Sequence, residues 1–322
     1  MHILIVTSDG VGSSIIQRFI AINLYLNDQK PLLTHEMLNG GLVQNDGIVQ
    51  KDWNINFTRS LSDTVSFIKK YGQKRSIVAR HSKHVYYQRN DSARDREIFD
   101  KFLQEYFDRK VICMRRNVFD QALSQAIRTQ IIKTQGTDNA LIFNAEQKKQ
   151  VLSNRYVDED VFVRKLEEYT RRIDWAKQKF PDAIEVYYED ALTQTDKMLA
   201  DVTGYRDSFK QKFGTDYQTI CKMEYDAMLL QAGVNVKKPS KDTITAIQNY
   251  RAFNKKLIDE GVISNPIPVK NTTLTDKKNL IKNFDDCWHI FEQFADKHPW
   301  VDKSVAGYDF WNKTWLKNRK QR

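Results

Sequence analysis

Short apolar segments alternate with segments of helical spacing along the first two-thirds of the chain, and this alternation restricts the fold more than any other feature. The predicted strands are residues 3–6, 76–79, 110–114 and 183–188. Between them apolar residues recur at helical spacing, most clearly over residues 158–180, which Pro181 follows. Strands that alternate with helices pair in parallel through right-handed crossovers. The sequence therefore predicts an α/β fold with a central, mainly parallel sheet.

The remaining segments are predicted to be less regular or mostly helical. Residues 32–58 contain three glycines and are predicted to form a long irregular loop. After Leu192 the chain is predicted to be mostly helical, with one helix over residues 279–294. No segment has the composition of a linker that would divide the chain into two domains, so we expect a single domain over residues 1–322. Its α/β core covers residues 1–205, and residues 206–322 form a helical extension.

The charge balance points to an anionic partner. The 322 residues include 51 Lys and Arg against 41 Asp and Glu, which gives a net charge of +10. This balance favours nucleic acid, a membrane surface or a highly phosphorylated small molecule, although it also fits a protein that is merely basic. No apolar run reaches the roughly 18 residues that a membrane span needs, and no signal peptide is expected. Three widely spaced cysteines (Cys113, Cys221 and Cys287) predict a reduced, cytoplasmic setting.

A loop of small residues follows the first predicted strand. The segment SDGVGSSII, residues 8–16, has the pattern of a strand, a turn and the first turn of a helix. Free N–H groups at such a helix N-terminus bind anions, which makes Gly10, Gly12, Ser13 and Ser14 candidate phosphate ligands. The loop lacks the Gly-Lys-Ser/Thr sequence of a nucleotide-hydrolysing P-loop. The structural alternative is an ordinary turn with serine caps.

Polar and basic residues also follow the other predicted strands. These segments are RHSKH at 80–84, RRNVFDQALS at 115–124 and YED at 188–190. Because ligands of an open parallel sheet bind beyond the carboxyl ends of its strands, we expect all of them to face one crevice. Arg116 offers a planar, always charged fork to a phosphate, and Ser124 adds a hydroxyl donor. The alternatives are a salt bridge from Arg116 to Asp120 and a bond from Ser124 to the helix backbone.

The order of these four segments resembles the sulfotransferases that use 3′-phosphoadenosine-5′-phosphosulfate. Gly12-Ser13-Ser14 is similar to part of their 5′-phosphosulfate loop, and IVARHSK places His81 where the family has a base after its second strand. VICMRRNVFDQALS matches their 3′-phosphate signature, and IEVYYEDAL looks like a later strand end of the family. The resemblance covers roughly residues 3–205, and the signature of arginine, asparagine, aspartate and serine is its most specific part.

The resemblance implies a P-loop-like three-layer fold and a sulfuryl transfer that requires no metal. The donor would be 3′-phosphoadenosine-5′-phosphosulfate, with its 3′-phosphate on Arg116 and Ser124 and its 5′-phosphosulfate on residues 10–14. His81 would take the proton from an acceptor hydroxyl or amine. The alternative for His81 is a surface histidine in a basic loop that also holds His84. The expected acceptor is a small molecule or a glycan, and the oligomeric state is left open.

One departure from the family concerns charge. Its loop carries a lysine or arginine that stabilises the leaving oxygen, and in this chain the corresponding position falls near Gly10. Arg18, one helical turn beyond Ser14, and Lys83, after His81, are the candidate replacements. The alternative functions are a P-loop-type kinase, a nucleotide binder without catalysis, and a basic nucleic-acid-binding protein. The absent Gly-Lys-Ser/Thr disfavours the kinase. Nucleic acid is not the expected partner, and a steep salt dependence of binding to DNA or RNA would favour it.

Overall fold

The computed structural model describes residues 1–36, 61–82, 91–135, 155–206, 208–214, 240–262 and 277–303. The strands are β1 (Ile3–Thr7), β2 (Pro31–Glu36), β3 (Ser76–His81), β4 (Arg109–Met114) and β5 (Ile184–Tyr187). The helices of the first half are α1 (Ser13–Leu26), α2 (Leu61–Gly72), α3 (Ala93–Tyr106) and α4 (Val118–Gln135). Those of the second half are α5 (Glu159–Lys179), α6 (Tyr188–Thr193), α7 (Thr195–Thr203), α8 (Ser208–Phe213), α9 (Lys241–Asp259), α10 (Lys277–Leu280) and α11 (Phe284–Asp296).

The five strands form one sheet in the order β2-β3-β1-β4-β5, and every neighbouring pair is parallel. Every residue of β1 is buried, as expected for the central strand of a sheet that is covered on both faces. The prediction of an α/β fold with a central parallel sheet is therefore confirmed, and the architecture is compatible with a three-layer P-loop-like fold.

The predicted loop over residues 32–58 is wrong at its start. Residues 31–36 form strand β2, which pairs with β3 at one end of the sheet, and Leu32 and Leu33 are buried. Pro31 is compatible with a strand because it stands at the first position of an edge strand, where a missing N–H is tolerated. Only two adjacent apolar residues mark this strand, too few for a periodic signal. Residues 37–58 lie outside the described part of the chain.

The long amphipathic helix is confirmed. It was predicted over residues 158–180 and is observed as α5, Glu159–Lys179. The predicted apolar stripe is buried along its length: Phe162, Leu166, Tyr169, Ile173 and Ala176. Because these residues recur every three or four positions, one face of the helix carries the whole buried surface.

The chain divides into two compact units. The first contains Met1–Ser8, Gly12–Met114 and Trp175–Val269 and holds the whole sheet. The second contains Asp9–Val11, Arg115–Asp174 and Lys270–Arg322. The expectation of one domain with a core over 1–205 stays a prediction.

The core of the second unit is aromatic. Phe119 on α4 packs edge to face against Phe162, Phe284, Trp288 and Phe291, with ring centroids 5.1–5.7 Å apart. Edge-to-face packing is a favoured geometry for aromatic pairs because the positive edge of one ring meets the negative face of the other. This cluster ties α4, α5 and α11 together within the unit.

The described part of the chain beyond Leu192 is mostly helical, as predicted, but the single helix expected over 279–294 is interrupted. Helix α10 ends at Leu280, and α11 begins at Phe284. Between them Asn283 accepts a hydrogen bond from the Val157 N–H at 2.9 Å and donates one to the Val157 carbonyl at 2.9 Å. Ile281 forms a parallel bridge with Arg155. This side-by-side pairing with residues 155–157 replaces the helical hydrogen bonds of the interrupted turn. None of the helices in the described ranges is long and apolar enough to cross a membrane.

The first unit contains a histidine whose protonation should affect stability. The His2 ring stacks on Tyr106 at a centroid distance of 4.8 Å, and its Nδ1 accepts the Ile77 N–H at 3.2 Å. Burial and then the neighbouring N-terminal charge hold the pKa of His2 below its usual value, although Asp108 acts in the opposite direction. The unfolded chain therefore binds the proton more tightly than the folded one.

Stability should consequently fall with acidification as the pH drops from about 6.5, the ordinary pKa of histidine, through the lower folded value. The variant His2→Asn keeps an acceptor for the Ile77 N–H but does not titrate, so its stability should change less over this window. Chemical denaturation at a series of pH values measures the difference. An identical pH dependence in the variant and the wild type would contradict this account of His2.

Candidate functional site

Helix α1 begins at a glycine. Its N-cap is Gly12, in the left-handed conformation with φ 78° and ψ 13°, and among the described residues no side chain caps the helix by a hydrogen bond. The Gly12 carbonyl accepts the Ile15 and Ile16 N–H groups at 3.0 and 3.3 Å. In the described part of the chain, the N–H groups of Ser13 and Ser14 have no acceptor. The alternative of serine caps is therefore wrong, and two amide donors remain at this helix end.

The electrostatics of this helix end favour an anion. Helix α1 has 14 residues, and its first turn contains no acidic side chain. The aligned peptide dipoles leave partial positive charge at the N-terminus, where acidic residues commonly balance it. Because the turn follows β1, the N–H groups of Ser13 and Ser14 lie beyond the carboxyl end of the central strand.

Tyr188 leaves no room for a side chain at position 12. An added Cβ on Gly12 would lie closer than 3.0 Å to two carbons of the Tyr188 ring. The positive φ independently favours glycine, since a Cβ is strained there. Position 12 is thus restricted to glycine by both backbone conformation and packing.

Arg80 is the basic residue that the structure places at this helix end. It is 5% exposed, stands next to the last residue of β3, and donates a hydrogen bond from Nη1 to Ser14 Oγ. Its charge also acts on Cys113, where it opposes the burial that raises the pKa of that thiol to about 12. Arg80 is not among the predicted site residues, because an arginine after the apolar residues 76–79 indicates the start of a loop, whereas β3 continues to His81. The available signal was its place one residue before the strand end.

His81 lies on the other face of the sheet. Successive side chains of a strand point to opposite faces, and the His81 ring packs against Phe99 and Trp175, both at 5.9 Å between centroids. The residue is 1% exposed, so the alternative of a surface histidine is wrong. The imidazole does not share the orientation of Arg80 toward Ser14, in contrast to the expectation that it would open onto the same crevice as the loop.

Of the two basic residues proposed as replacements for the loop lysine, Arg18 lies in the described part of the chain and Lys83 does not. Arg18 is half-buried on α1, one turn further along the helix than Ser14. Lys83 and the neighbouring His84 lie outside the described residues.

The residues of the predicted 3′-phosphate element lie in the second unit. Asn117 accepts the Asp120 N–H at 2.9 Å through its side-chain oxygen, which caps the start of α4. Arg116 directly precedes this cap and is half-buried. Gly10, which also belongs to this unit, has φ 73°, and its carbonyl accepts a 3.4 Å hydrogen bond from Arg115 Nε.

Ser124 and Asp120 are joined by a lysine that the sequence analysis did not select. Lys277 is 8% exposed, forms an ion pair with Asp120 and donates a 2.7 Å hydrogen bond to Ser124 Oγ. Lys277 follows Ser124 by more than 150 positions, and no local pattern links the two segments. The Ser124 hydroxyl is therefore already oriented by a cation in this structure.

Within the described ranges, no group of three or more His, Cys, Asp or Glu side chains is arranged to hold a metal ion. No protein-family model, curated protein or solved structure matches this chain. Its function is therefore inferred from two groups of residues. One lies at the start of α1 and contains Gly12, Ser13, Ser14 and Arg80. The other lies in the second unit and contains Asp120, Ser124 and Lys277.

Proposed function

We propose that the protein is a sulfotransferase that moves a sulfuryl group from 3′-phosphoadenosine-5′-phosphosulfate to an acceptor hydroxyl or amine. The observation that carries the proposal is the start of α1, where Gly12 is left-handed and the amides of Ser13 and Ser14 have no acceptor among the described residues. This turn follows β1, and strands β3 and β4 lie on either side of β1 in the sheet. In open α/β sheets ligands bind at such a switch point.

The proposed step is an in-line transfer. A lone pair of the acceptor oxygen or nitrogen forms a bond to sulfur, and the bond from sulfur to the oxygen of the 5′-phosphate breaks. The electron pair stays on that oxygen, so 3′,5′-ADP leaves, and the acceptor proton passes to a base. The amides of Ser13 and Ser14 would hold the 5′-phosphate, and fixed donors of this kind stabilise charge that develops on a leaving oxygen.

The predicted base is His81. Its ring is buried against Phe99 and Trp175, so its surroundings do not support contact with an acceptor that enters from solvent. The role of His81 in proton transfer stays a prediction, and the proposed function does not depend on it.

Arg116 and Ser124 are proposed to bind the 3′-phosphate of the donor. The support is the register of the two residues, an arginine before the cap of α4 and a serine two turns into that helix. Lys277 adds positive charge beside the Ser124 hydroxyl, although Asp120 balances it. A guanidinium and a hydroxyl are suitable donors for a phosphate dianion.

The proposed acceptor is a small molecule or a glycan, and the proposed location is the cytoplasm. Cys113 and Cys287 are free, buried thiols, which fits a reducing compartment. Burial raises the pKa of both thiols to about 12, so they are neutral and not nucleophiles at neutral pH.

The 3′-phosphate assignment predicts selectivity between two nucleotides. Calorimetric titration without Mg²⁺ should show tighter binding of 3′,5′-ADP than of 5′-AMP, by about 10- to 150-fold, the value of one charge-assisted contact. Arg116→Lys should reduce this selectivity, because an ammonium group cannot form the planar fork. Arg164→Lys, an exposed arginine of α5 in the same unit, is the matched control. Equal affinity of the wild type for both nucleotides would overturn the 3′-phosphate assignment.

A further inference from the structure

The loop before α1 has no lysine, and the proposed reaction needs positive charge where the 5′-phosphate oxygen leaves sulfur. We infer that Arg80 supplies this charge and is a catalytic residue that contacts the 5′-phosphosulfate. The inference rests on the proposed function and assigns one residue within it. It places the missing charge on Arg80 instead of Arg18, whereas Lys83 lies outside the described residues.

The first argument is placement. Arg80 and Ser14 lie in the same unit, and the Arg80 guanidinium reaches Ser14 Oγ in the first turn of α1. The Ser13 and Ser14 amides, which have no acceptor in the described residues, belong to this same turn. An anion held by these amides would therefore lie beside the guanidinium. The sheet fixes this position, because β3 pairs with β1 up to the register of Val6 and His81.

The second argument is burial. Arg80 is 5% exposed, and its charge is felt at the fully buried Cys113. A charge in such surroundings is screened less by water than a surface charge, so its effect on a nearby anion is larger. The guanidinium remains charged at any working pH and has several N–H donors, so it can contact the Ser14 hydroxyl and a phosphate oxygen together.

The third argument concerns the alternative, Arg18. Residues four positions apart lie one turn apart along a helix, so Arg18 starts about 6 Å further from the N-terminus than Ser14. Arg18 is half-buried, whereas Arg80 is almost fully buried at the helix start. A cation near the N-terminus of the helix can act on an anion that the amides bind. Arg80 lies at this position, because it contacts Ser14 in the first turn.

The chemical consequence is a charge that acts on the leaving group. As the bond from sulfur to oxygen breaks, negative charge grows on the 5′-phosphate oxygen, and the Arg80 guanidinium stabilises it without giving up a proton. The product 3′,5′-ADP carries this charge fully, so its affinity reports on Arg80 even when the acceptor is unknown. The nucleotide 3′-AMP lacks the 5′-phosphate and serves as the reference.

The test is the calorimetric preference for 3′,5′-ADP over 3′-AMP in four proteins. The wild type should prefer 3′,5′-ADP by about 10-fold or more. Arg80→Gln should lower this preference several-fold, with a remainder held by the Ser13 and Ser14 amides, and Arg18→Gln should keep the full preference. Arg94→Gln, an exposed arginine at the start of α3, is the matched control for loss of one positive charge.

The outcomes separate this inference from the proposed function. A wild type without the preference would overturn the 5′-phosphate site and the proposed function. A preference in the wild type that is undiminished in Arg80→Gln would overturn the assignment of Arg80 alone. If Arg80→Gln does not fold, Arg80→Lys decides the question. Arg80→Lys should lower the preference for 3′,5′-ADP several-fold, because lysine lacks the planar fork of the guanidinium. An unchanged preference would again overturn the assignment.

Discussion

Asp120→Ala is expected to lower the free energy of unfolding by about 3–5 kcal/mol, the cost of leaving a buried charge without its partner. The side chains of Lys277 and Asp120 are only 10% and 17% exposed, so the Lys277 ammonium would lose its counter-ion where little water can reach it. Its bond to the neutral Ser124 hydroxyl does not compensate, because a hydroxyl carries no negative charge. Denaturant unfolding of the purified variant measures the loss.

The double variant Asp120→Ala/Lys277→Met provides the control. It removes both charges and keeps an apolar side chain along the path of the lysine, so it should recover most of the stability that Asp120→Ala loses. If Asp120→Ala cost less than about 1 kcal/mol, the pair would behave like an exposed salt bridge, and this account of the cluster would be contradicted.

Gly12→Ala is expected to destabilise the first unit by about 2–5 kcal/mol. The left-handed backbone contributes about 1–2 kcal/mol, and the overlap of the new methyl group with Tyr188 contributes about 1–3 kcal/mol. If the turn shifts to relieve the overlap, the Ser13 and Ser14 amides shift with it. The affinity for 3′,5′-ADP should then fall as well. Thermal unfolding and calorimetric titration measure the two effects separately.

Gly204 offers a matched control for Gly12. It has the same φ of 78°, but an added Cβ would meet no atom within 4 Å. Gly204→Ala should therefore show the backbone strain alone and leave nucleotide affinity unchanged. Equal destabilisation by the two substitutions would contradict the steric role of Tyr188, and Gly12→Ala/Tyr188→Leu should recover part of the loss if that role is correct.

The fold could be predicted in large part because its strongest signals are local. Residues 3–6 and 111–114 are continuous apolar runs of buried parallel strands, and the α5 stripe repeats at helical spacing over about four turns. Strand β2 was missed because an edge strand with two adjacent apolar residues carries almost no periodicity. The break between α10 and α11 was missed because it depends on Asn283 and residues 155–157, which are distant in sequence.

The candidate site could be predicted only where one segment forms it. The turn at Gly12 was found because strand, small-residue loop and helix follow each other directly. Arg80 was not selected, because its place near the strand end is a weak signal and its contact with Ser14 depends on which face of β3 each residue occupies. Lys277 could not be selected either, because its pairing with Asp120 is set by the packing of distant helices. A charged side chain from a distant segment of the sequence can be assigned to a site only once the three-dimensional structure is known.

The most direct test of the central claim is transfer of radiolabelled sulfate from 3′-phosphoadenosine-5′-phosphosulfate without Mg²⁺. The acceptors are a phenol, an aliphatic alcohol and an amino-sugar glycan, and labelled product and released 3′,5′-ADP are separated by chromatography. The proposed function predicts labelled product with at least one acceptor class, with one equivalent of 3′,5′-ADP released for each sulfate transferred. A protein that leaves the labelled donor intact with every acceptor class would contradict it.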